Sequence, residues 1–448
     1  MRLPAHPPDS ASLLKALIER KPEYLVAIGA RAGVVDEKGR YLHWDKFRFR
    51  KPSSGLTAAE AWTLTRVARL VSSQSLPFAD GRGRRFTLCE PPALKLVLRE
   101  LDMNAGGALA SDATALSSGE GRLYLTRSLA EEPFASSFIE GAATTRQIAK
   151  KLIYGGRAPR TKDERMVLNN YHAMEFVKSH RGDALTVPML LELHRIVTEG
   201  TLASAHDAGR VRTSDDIRVV DESNGEILHQ PPVASELAGR LHQLLKFAND
   251  PLGKSDWVHP LVKAFVLHFM LAYEHPFVDG NGRVARALFY WAALREGYWL
   301  IEYVSISSVI AEAKIAYGRA FLHVETDAND LTYFLIYHAD VLAMAVQRLT
   351  AFVAKKRDEV AAFEKRLADR RRPGAFNHRQ SWLLNELARQ RMAGITILDH
   401  EKTHGVTYLT ARSDLEGLLK QRLLKKTKNG RTSVYTPARD LIDRLTAT

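Results

Sequence analysis

Cysteine is all but missing: Cys89 stands alone among 448 residues. No internal disulfide can form and no cysteine-rich metal site can be built. A single thiol suits a reducing compartment, so a cytoplasmic location is expected. Long apolar runs are missing too. The first residues, Met1, Arg2, Leu3 and Pro4, lack the apolar stretch of a secretory signal. No segment approaches the roughly 20 apolar residues of a spanning helix, so no membrane partner is expected. Histidines 229, 242, 259 and 268 have no acid at ligand spacing in the sequence, and a zinc pattern is absent. Acid is in deficit: 51 Asp and Glu face 64 Lys and Arg, a net charge of +13. That excess leaves simple solubility and an acidic or nucleic-acid partner both open.

What is present is an ordinary soluble balance, 45% hydrophobic and 26% charged, in a chain long enough for two or three domains. Helical spacing dominates, and a mainly α fold is expected. Residues 1–120 give mixed signals and no chemistry. Short strands are expected in 21–51, around Tyr24 to Ile28, and a helix over 57–76. Glu131, Glu132 and Pro133 open a short helix that stops at Gly141, and a second helix runs from Thr144 or Thr145 to Gly155. Amphipathic helices are expected in 162–200 and 233–250. Between them, two runs, 217–221 and 226–229, flank Asn224-Gly225, a hairpin signal. Residues 257–273 and 283–296 are apolar nearly all round, so each reads as a buried helix. A connector over 341–374 ends at Pro373-Gly374, and residues 375–448 form a separate unit.

The two buried helices are joined by His275, Pro276, Phe277, Val278, Asp279, Gly280, Asn281, Gly282, Arg283, Val284, Ala285 and Arg286. Glycines 280 and 282 let successive amides point one way at a helix N-terminus, a nest for phosphate oxygens. Asn281 suits an N-cap that also touches phosphate. Arg283 and Arg286 share one helical face and suit bidentate contact with a polyphosphate. Asp279 is the lone nearby acid. Magnesium needs few protein ligands when phosphate supplies the rest. A neutral His275 can take a proton from an attacking hydroxyl. Phe277 reads as an anchor and Pro276 as a rigid joint.

This run resembles the signature of Fic-domain proteins, with every required position filled in order. The resemblance covers about 130–340, with the domain placed at 121–340. It implies a helical core that transfers AMP from ATP to a protein hydroxyl of Ser, Thr or Tyr, on another chain or on this one. By that resemblance His275 is the base and Asp279 the magnesium ligand. Gly280, Asn281 and Gly282 form the anion hole, and Arg283 and Arg286 bind phosphate. Ser136, Glu140 and Gly141, in the helix at 131–141, are similar to the family's inhibitory pattern. Ser136 and Glu140 share a helix face, and Glu140 is expected to pair with Arg286 and deny it to the γ-phosphate. In some relatives the same glutamate supports hydrolytic removal of AMP, which stays open here. Ile217, Arg218, Val219 and Val220 lie where the family carries a target-docking flap.

The last 74 residues read as helix, short apolar stretch, small helix, a third helix from Tyr408 to Lys420 capped by Thr407, and a basic hairpin turning at Asn429-Gly430. This order resembles a winged helix. Residues 375–448 hold 13 Lys or Arg against 7 Asp or Glu, nearly half of the whole excess. Tyr408, Thr410 and Arg412 on the helix and Lys425, Lys426, Lys428 and Arg431 on the wing are the candidate contacts to double-stranded DNA. A winged helix used for protein contact or homodimerisation is the alternative. A DNA-binding regulator with a nucleotide-sensing Fic-like domain is therefore the rival to an enzyme.

Overall fold

Two helices set the centre of the fold, and their sequences explain why. Residues Pro260–Glu274 and Asn281–Arg295 carry apolar side chains on every face, and nearly all of them are buried. Leu261, Phe265, Phe269, Leu288, Phe289 and Tyr290 are 0% exposed, and Phe265 stacks on Phe289 with centroids 5.7 Å apart. Each such side chain removed from water contributes roughly 1.5–3 kcal/mol. The twelve-residue motif is therefore mounted between two elements that cannot leave the core.

The chain is described by a computed structural model over residues 2–22, 33–52, 55–106, 129–221, 223–250, 257–368, 376–388, 392, 394–429 and 432–446. The fold is mainly α with three small sheets. Short helices at Trp44–Phe47 and Leu441–Thr446 apart, the main elements in chain order are α1 Ser10–Arg20, α2 Ala58–Ser72, β1 Gln74–Ala79, β2 Arg85–Leu88, α3 Pro92–Ala105, α4 Glu131–Ile139, α5 Arg146–Ile153, α6 Lys162–Ser179 and α7 Val187–Thr198. There follow β3 Val219–Val220, β4 Ile227–His229, α8 Leu237–Asn249, α9 Pro260–Glu274, α10 Asn281–Arg295, α11 Ile306–Glu312, α12 Lys314–Thr326 and α13 Thr332–Ala368. Last come α14 His378–Ala388, β5 Ile395–Thr396, α15 Ile397–His404, α16 Tyr408–Lys420, β6 Leu424–Asn429 and β7 Thr432–Pro437. Met1–Gly107, Glu132–Thr145 and Pro159–Ala345 cluster as one unit, and Ala108–Glu131, Arg146–Ala158 and Val346–Thr448 as another.

The first unit surrounds α9 and α10 with α6, α7, α8, α12 and the start of α13. The described part of the N-terminal region packs within it. The N-terminal region contributes β1 and β2, paired antiparallel. The expected strand at 24–28 lies outside the described residues, and the structure keeps helix only to Ser72 before β1 begins. The turn that closes β1–β2 is organised by Asp80, whose Oδ1 accepts from the amides of Arg82 and Arg84, both at 2.9 Å. Phe86 of β2 is fully buried against Phe269 and Tyr273 of α9, and Thr87 exchanges backbone bonds with Asn329 and Leu331 before α13. The hairpin is thus a wedge against the last turns of α9.

In the second unit, β5, β7 and β6 form an antiparallel sheet in that order. Thr407 caps α16 by accepting from the Thr410 amide, and α16 spans the expected residues. Asp414 is buried and gathers Arg379, Asn377 at 2.6 Å and His400 at 3.3 Å, so α14, α15 and α16 meet on one carboxylate. Among the described residues no helix is long and apolar enough to cross a membrane.

Candidate active site

The site begins where α9 ends. His275 closes the helix with φ 46°, a left-handed conformation uncommon for a residue with a side chain. Its Nδ1 lies 3.2 Å from the carbonyl of Ala272. A carbonyl only accepts, so Nδ1 carries the proton and Nε2 keeps its lone pair. Burial pushes the imidazole down to about 4, and His229 nearby adds to the shift, so the ring is neutral around pH 7.

Neighbours from outside the motif hold the loop that follows. Arg212, 4% exposed, donates from its amide to Pro276 O at 2.8 Å and from Nε to His275 O at 2.9 Å. Its other nitrogens reach Ser214 O at 2.8 Å and Pro232 O, one on each side of the β3–β4 hairpin. His194 of α7 stacks on Phe277 with centroids 3.8 Å apart and rings nearly parallel. Its Nδ1 accepts from the Gly209 amide at 2.9 Å, so Nε2 donates to Asp279 O at 3.0 Å. Burial lowers its pKa, consistent with that neutral tautomer. Neither residue was singled out in the sequence. Each lies more than 60 residues from the loop it holds, and only a fold brings them there.

Asn281 departs from its expected part. It is 2% exposed, accepts from Phe277 N at 2.9 Å and donates to Phe277 O at 2.8 Å. Its amide is consumed in closing the loop, so it neither caps α10 nor points at a ligand; Gly280 is the N-cap, with φ 85°. A side chain at Gly280 would sit 2.8 Å from Thr198 Cγ2, and one at Gly282 would collide with Glu140 Oε1. The first glycine allows the turn and the second leaves room for an anion against the first turn of α10. Glu140 is the anion there.

Both arginines are buried and already engaged. Arg283 donates to Val197 O at 2.8 Å and lies 3.6 Å from Asp279 Oδ1. Arg286 donates from Nε to Ser136 Oγ at 2.9 Å and from Nη2 to Ser136 O at 3.1 Å and to Glu140 Oε1 at 2.8 Å. Burial alone would raise the Glu140 carboxyl, but Arg286 and then Arg283 hold it below the usual range, so it is charged. Asp279 is 53% exposed at the mouth, with Oδ1 accepting from Gly280 N.

Helix α4 carries Ser136, with Glu140 directly after its last residue, and is fastened elsewhere as well. Glu132, expected only as a first-turn acid, is buried and accepts from Ser305 Oγ at 2.9 Å, Ser307 N at 3.0 Å and Ser307 Oγ. Burial raises its pKa despite these donors. Ser137 Oγ accepts from Asn170 Nδ2 at 2.7 Å. Gly141 ends the segment with φ 90°.

The hairpin is shorter than its sequence runs. Only Val219 and Val220 pair with β4, while Ile217 and Arg218 precede the strand. Val220 and Ile227 are 44% and 45% exposed, and this sheet has two strands only. His229, which has no acid near it in sequence, meets Glu325 at 2.8 Å from Nδ1 and Tyr273 O at 2.7 Å from Nε2. Burial opposes its charge, but two acceptors overcome that and its pKa is raised. His259 likewise meets Asp102 at 3.1 Å, whereas His268 is a core residue bonded to Tyr317 at 2.9 Å.

In the second unit Tyr408, Arg412, Lys425 and Lys428 are exposed. Thr410 is turned to Thr407, 3.0 Å between hydroxyls, and Lys426 is held by Glu416 at 2.7 Å, so neither offers a free contact. Arg431 lies outside the described residues.

Residues 184–293 match the family model Fic/DOC family, and this span contains His275 to Arg286 with the neighbours that hold them. This stretch is similar to a Fic domain. The relatives it matches include a protein adenylyltransferase Fic of Nematostella vectensis, 31% identical over 192 residues, covering 40% of this chain and 41% of that protein. Another is the protein adenylyltransferase fic-1 of Caenorhabditis elegans, 27% identical over 183 residues, covering 41% and 32%. The chain therefore spans well under half the length of these curated relatives. Among solved structures, a Fic domain containing signaling protein from Bacteroides thetaiotaomicron overlays with a TM-score of 0.47 at 20% identity, covering 58% of this chain and 97% of that one. The family match covers 184–293, while Ser136 on α4 and Glu140 just after it lie upstream of its start and reach Arg286 within it.

Proposed function

We propose that the chain is a protein adenylyltransferase that moves AMP from ATP to a Ser, Thr or Tyr hydroxyl of a protein, held at rest by Glu140. The observation that carries the reading is the Glu140 carboxylate, which lies on Arg286 at 2.8 Å and fills the space above Gly282 at the start of α10. A helix N-terminus with a buried arginine is an anion site, and a side chain of this protein occupies it.

The chemistry follows from the groups present. His275 Nε2 takes the proton of the acceptor hydroxyl as its oxygen bonds to the α-phosphorus. The α–β phosphoanhydride bond breaks and pyrophosphate departs with the electron pair. Arg283, Arg286 and the amides at Gly280 to Gly282 orient and neutralise the phosphates. Asp279 fits magnesium as a single carboxylate: it is exposed, and no cluster of three potential ligands exists among the described residues, so the phosphates would complete the ion's shell. When bound, magnesium would neutralise phosphate charge. The exposed edge at Val219 and Val220 suits alignment of an extended acceptor segment by strand addition.

The test is label transfer from ATP tagged on its α-phosphate, with magnesium and host lysate. Label appearing in Glu140→Gly, weak in the unchanged chain and absent in Glu140→Gly with His275→Ala is the expected pattern. Full transfer with His275→Ala would remove the assigned base. If the enzyme instead removes AMP, Glu140→Gly loses turnover of an AMP-modified protein.

A second reading concerns residues 376–446. The succession α14, β5, α15, α16, β6 and β7, with Tyr408 and Arg412 exposed on α16 and Lys425 and Lys428 on β6, supports a winged helix that binds duplex DNA. Binding that falls steeply with salt and weakens in Lys425→Ala with Lys428→Ala is expected; an unchanged salt slope in that variant removes the assignment.

A further inference from the structure

We propose that Lys314 is the positioning residue that keeps Glu140 on Arg286, by clasping the last turn of α4. The inference rests on the reading of Glu140 as an inhibitory group. Helix α4 is anchored at its start by Glu132 in the buried pocket of Ser305 and Ser307, and in its middle by Ser136 and Ser137. None of these fixes its end. There the chain closes on itself, with Ala142 N donating to Ser137 O at 3.0 Å and Gly141 N to Phe138 O at 3.2 Å. A helix leaves its last carbonyls without partners, and this closure does not reach Ile139 O. Lys314 Nζ donates to that oxygen at 3.1 Å and to Phe138 O at 2.9 Å. The ammonium also lies 4.7 Å from the centre of the Phe138 ring.

Two further observations give this contact its meaning. Lys314 is the first residue of α12, where a cation is disfavoured by its own helix dipole. Its charge is directed instead at the C-terminus of α4, where a cation is favoured. Tyr317, three residues on and on the same face, bonds to His268 at 2.9 Å and feels the charge of Arg286. One turn of α12 therefore lies by both halves of the Glu140–Arg286 pair, Lys314 at the helix end that the acid follows and Tyr317 within the field of the arginine. Lys314 and Phe138 are exposed whereas Arg286 is buried. A clasp on the surface governs a contact in the interior.

A cation at a helix C-terminus shifts an equilibrium roughly two- to five-fold. The test uses the full chain with two readouts, label transfer as above and amide hydrogen exchange at Gly141 and Ala142. Lys314→Ala is expected to raise label about two- to five-fold and to speed exchange at those two amides, leaving the first turns of α4 unchanged. Lys314→Arg, which keeps the charge and donors, restores both. In Glu140→Gly, Lys314→Ala adds nothing, whereas a merely structural role would alter both backgrounds alike. Slow exchange and unchanged label in Lys314→Ala overturn the clasp even when Glu140→Gly is active. If Glu140→Gly transfers nothing, the functional reading fails, and exchange alone still decides whether Lys314 holds the turn.

Discussion

His275, the proposed base, has a protonation state set by what covers it. A histidine left in water titrates near 6.5, and an enzyme relying on such a group loses rate below that pH. Here burial brings the ring down to about 4. With Glu140 replaced by Gly, the ring also loses the carboxylate that raises its pKa. The acid limb of kcat/KM for that variant is therefore expected at or below about pH 4, with no inflection between 6 and 7. A limb at 6.5 would mean that the titrating group is not this histidine in this environment. The neighbouring Glu274 shows the same force acting on an acid. It is 2% exposed, and burial lifts it to about 7 although Arg240 pulls against the rise. A folded-state pKa above the unfolded one stabilises below the unfolded value, here 4.5, and that contribution is lost as pH rises through 7.

Among elements, α4 matters most, because its nine residues join a core anchor, Glu132, to the group proposed to block the site, Glu140, which follows its last residue. Ser136 links the two. Its Oγ and carbonyl both accept from Arg286. Ser136→Ala leaves a buried charged N–H without one of its acceptors, a cost of about 1–3 kcal/mol. Thermal unfolding of the first unit should fall accordingly, and Ser136→Thr should recover it. An unchanged midpoint in the alanine variant would mean that the hydrogen bond contributes no net stability. Much of this was legible beforehand. The i,i+4 spacing of Ser136 and Glu140 put both on one face, and the glycine at 141 marked the end. Asn281 was misread because Asn is a common N-cap, whereas here its two polar atoms are used by the backbone of Phe277 four residues earlier. Glu132 was misread for a similar reason. An acid at a helix start is explained by the dipole alone, so nothing in the sequence pointed to Ser305 and Ser307.

Across the whole molecule, charge is managed by burying histidines as neutral pairs. His43 stacks on His323 at 4.3 Å and His268 meets His338 at 4.5 Å in the first unit, and His400 meets His404 at 4.5 Å in the second. Burial lowers the pKa of all six, His43 and His404 to about 2, His338 to about 3 and His323 to about 4. His43, His323, His338 and His404 therefore stay neutral in the folded state at pH 5 and take up a proton there on unfolding. Their contribution is thus full above the unfolded value of 6.5 and is lost as pH falls below it. At pH 5 the loss is about 2 kcal/mol for each of His43, His323, His338 and His404. Both units should therefore melt at lower temperature at pH 5 than at pH 7.5. A midpoint insensitive to pH over that range would show the rings to be accessible to protons in the folded state. The first two pairings were not readable in the sequence, since their members lie 280 and 70 residues apart, whereas His400 and His404 stand four apart on one helix.

The dependence of the motif loop on Arg212 and His194 has a consequence for how such chains are sorted. Twelve letters identify the site, yet they do not fold it. The loop takes its shape from an arginine that binds two of its carbonyls, one through its guanidinium and one through its backbone amide, and an imidazole that lies flat on its phenylalanine. A sequence could keep every letter from His275 to Arg286, lose these two props, and be a counterfeit that passes inspection by pattern alone. Telling the genuine article from the forgery means looking for the arginine and the histidine that stand behind the text.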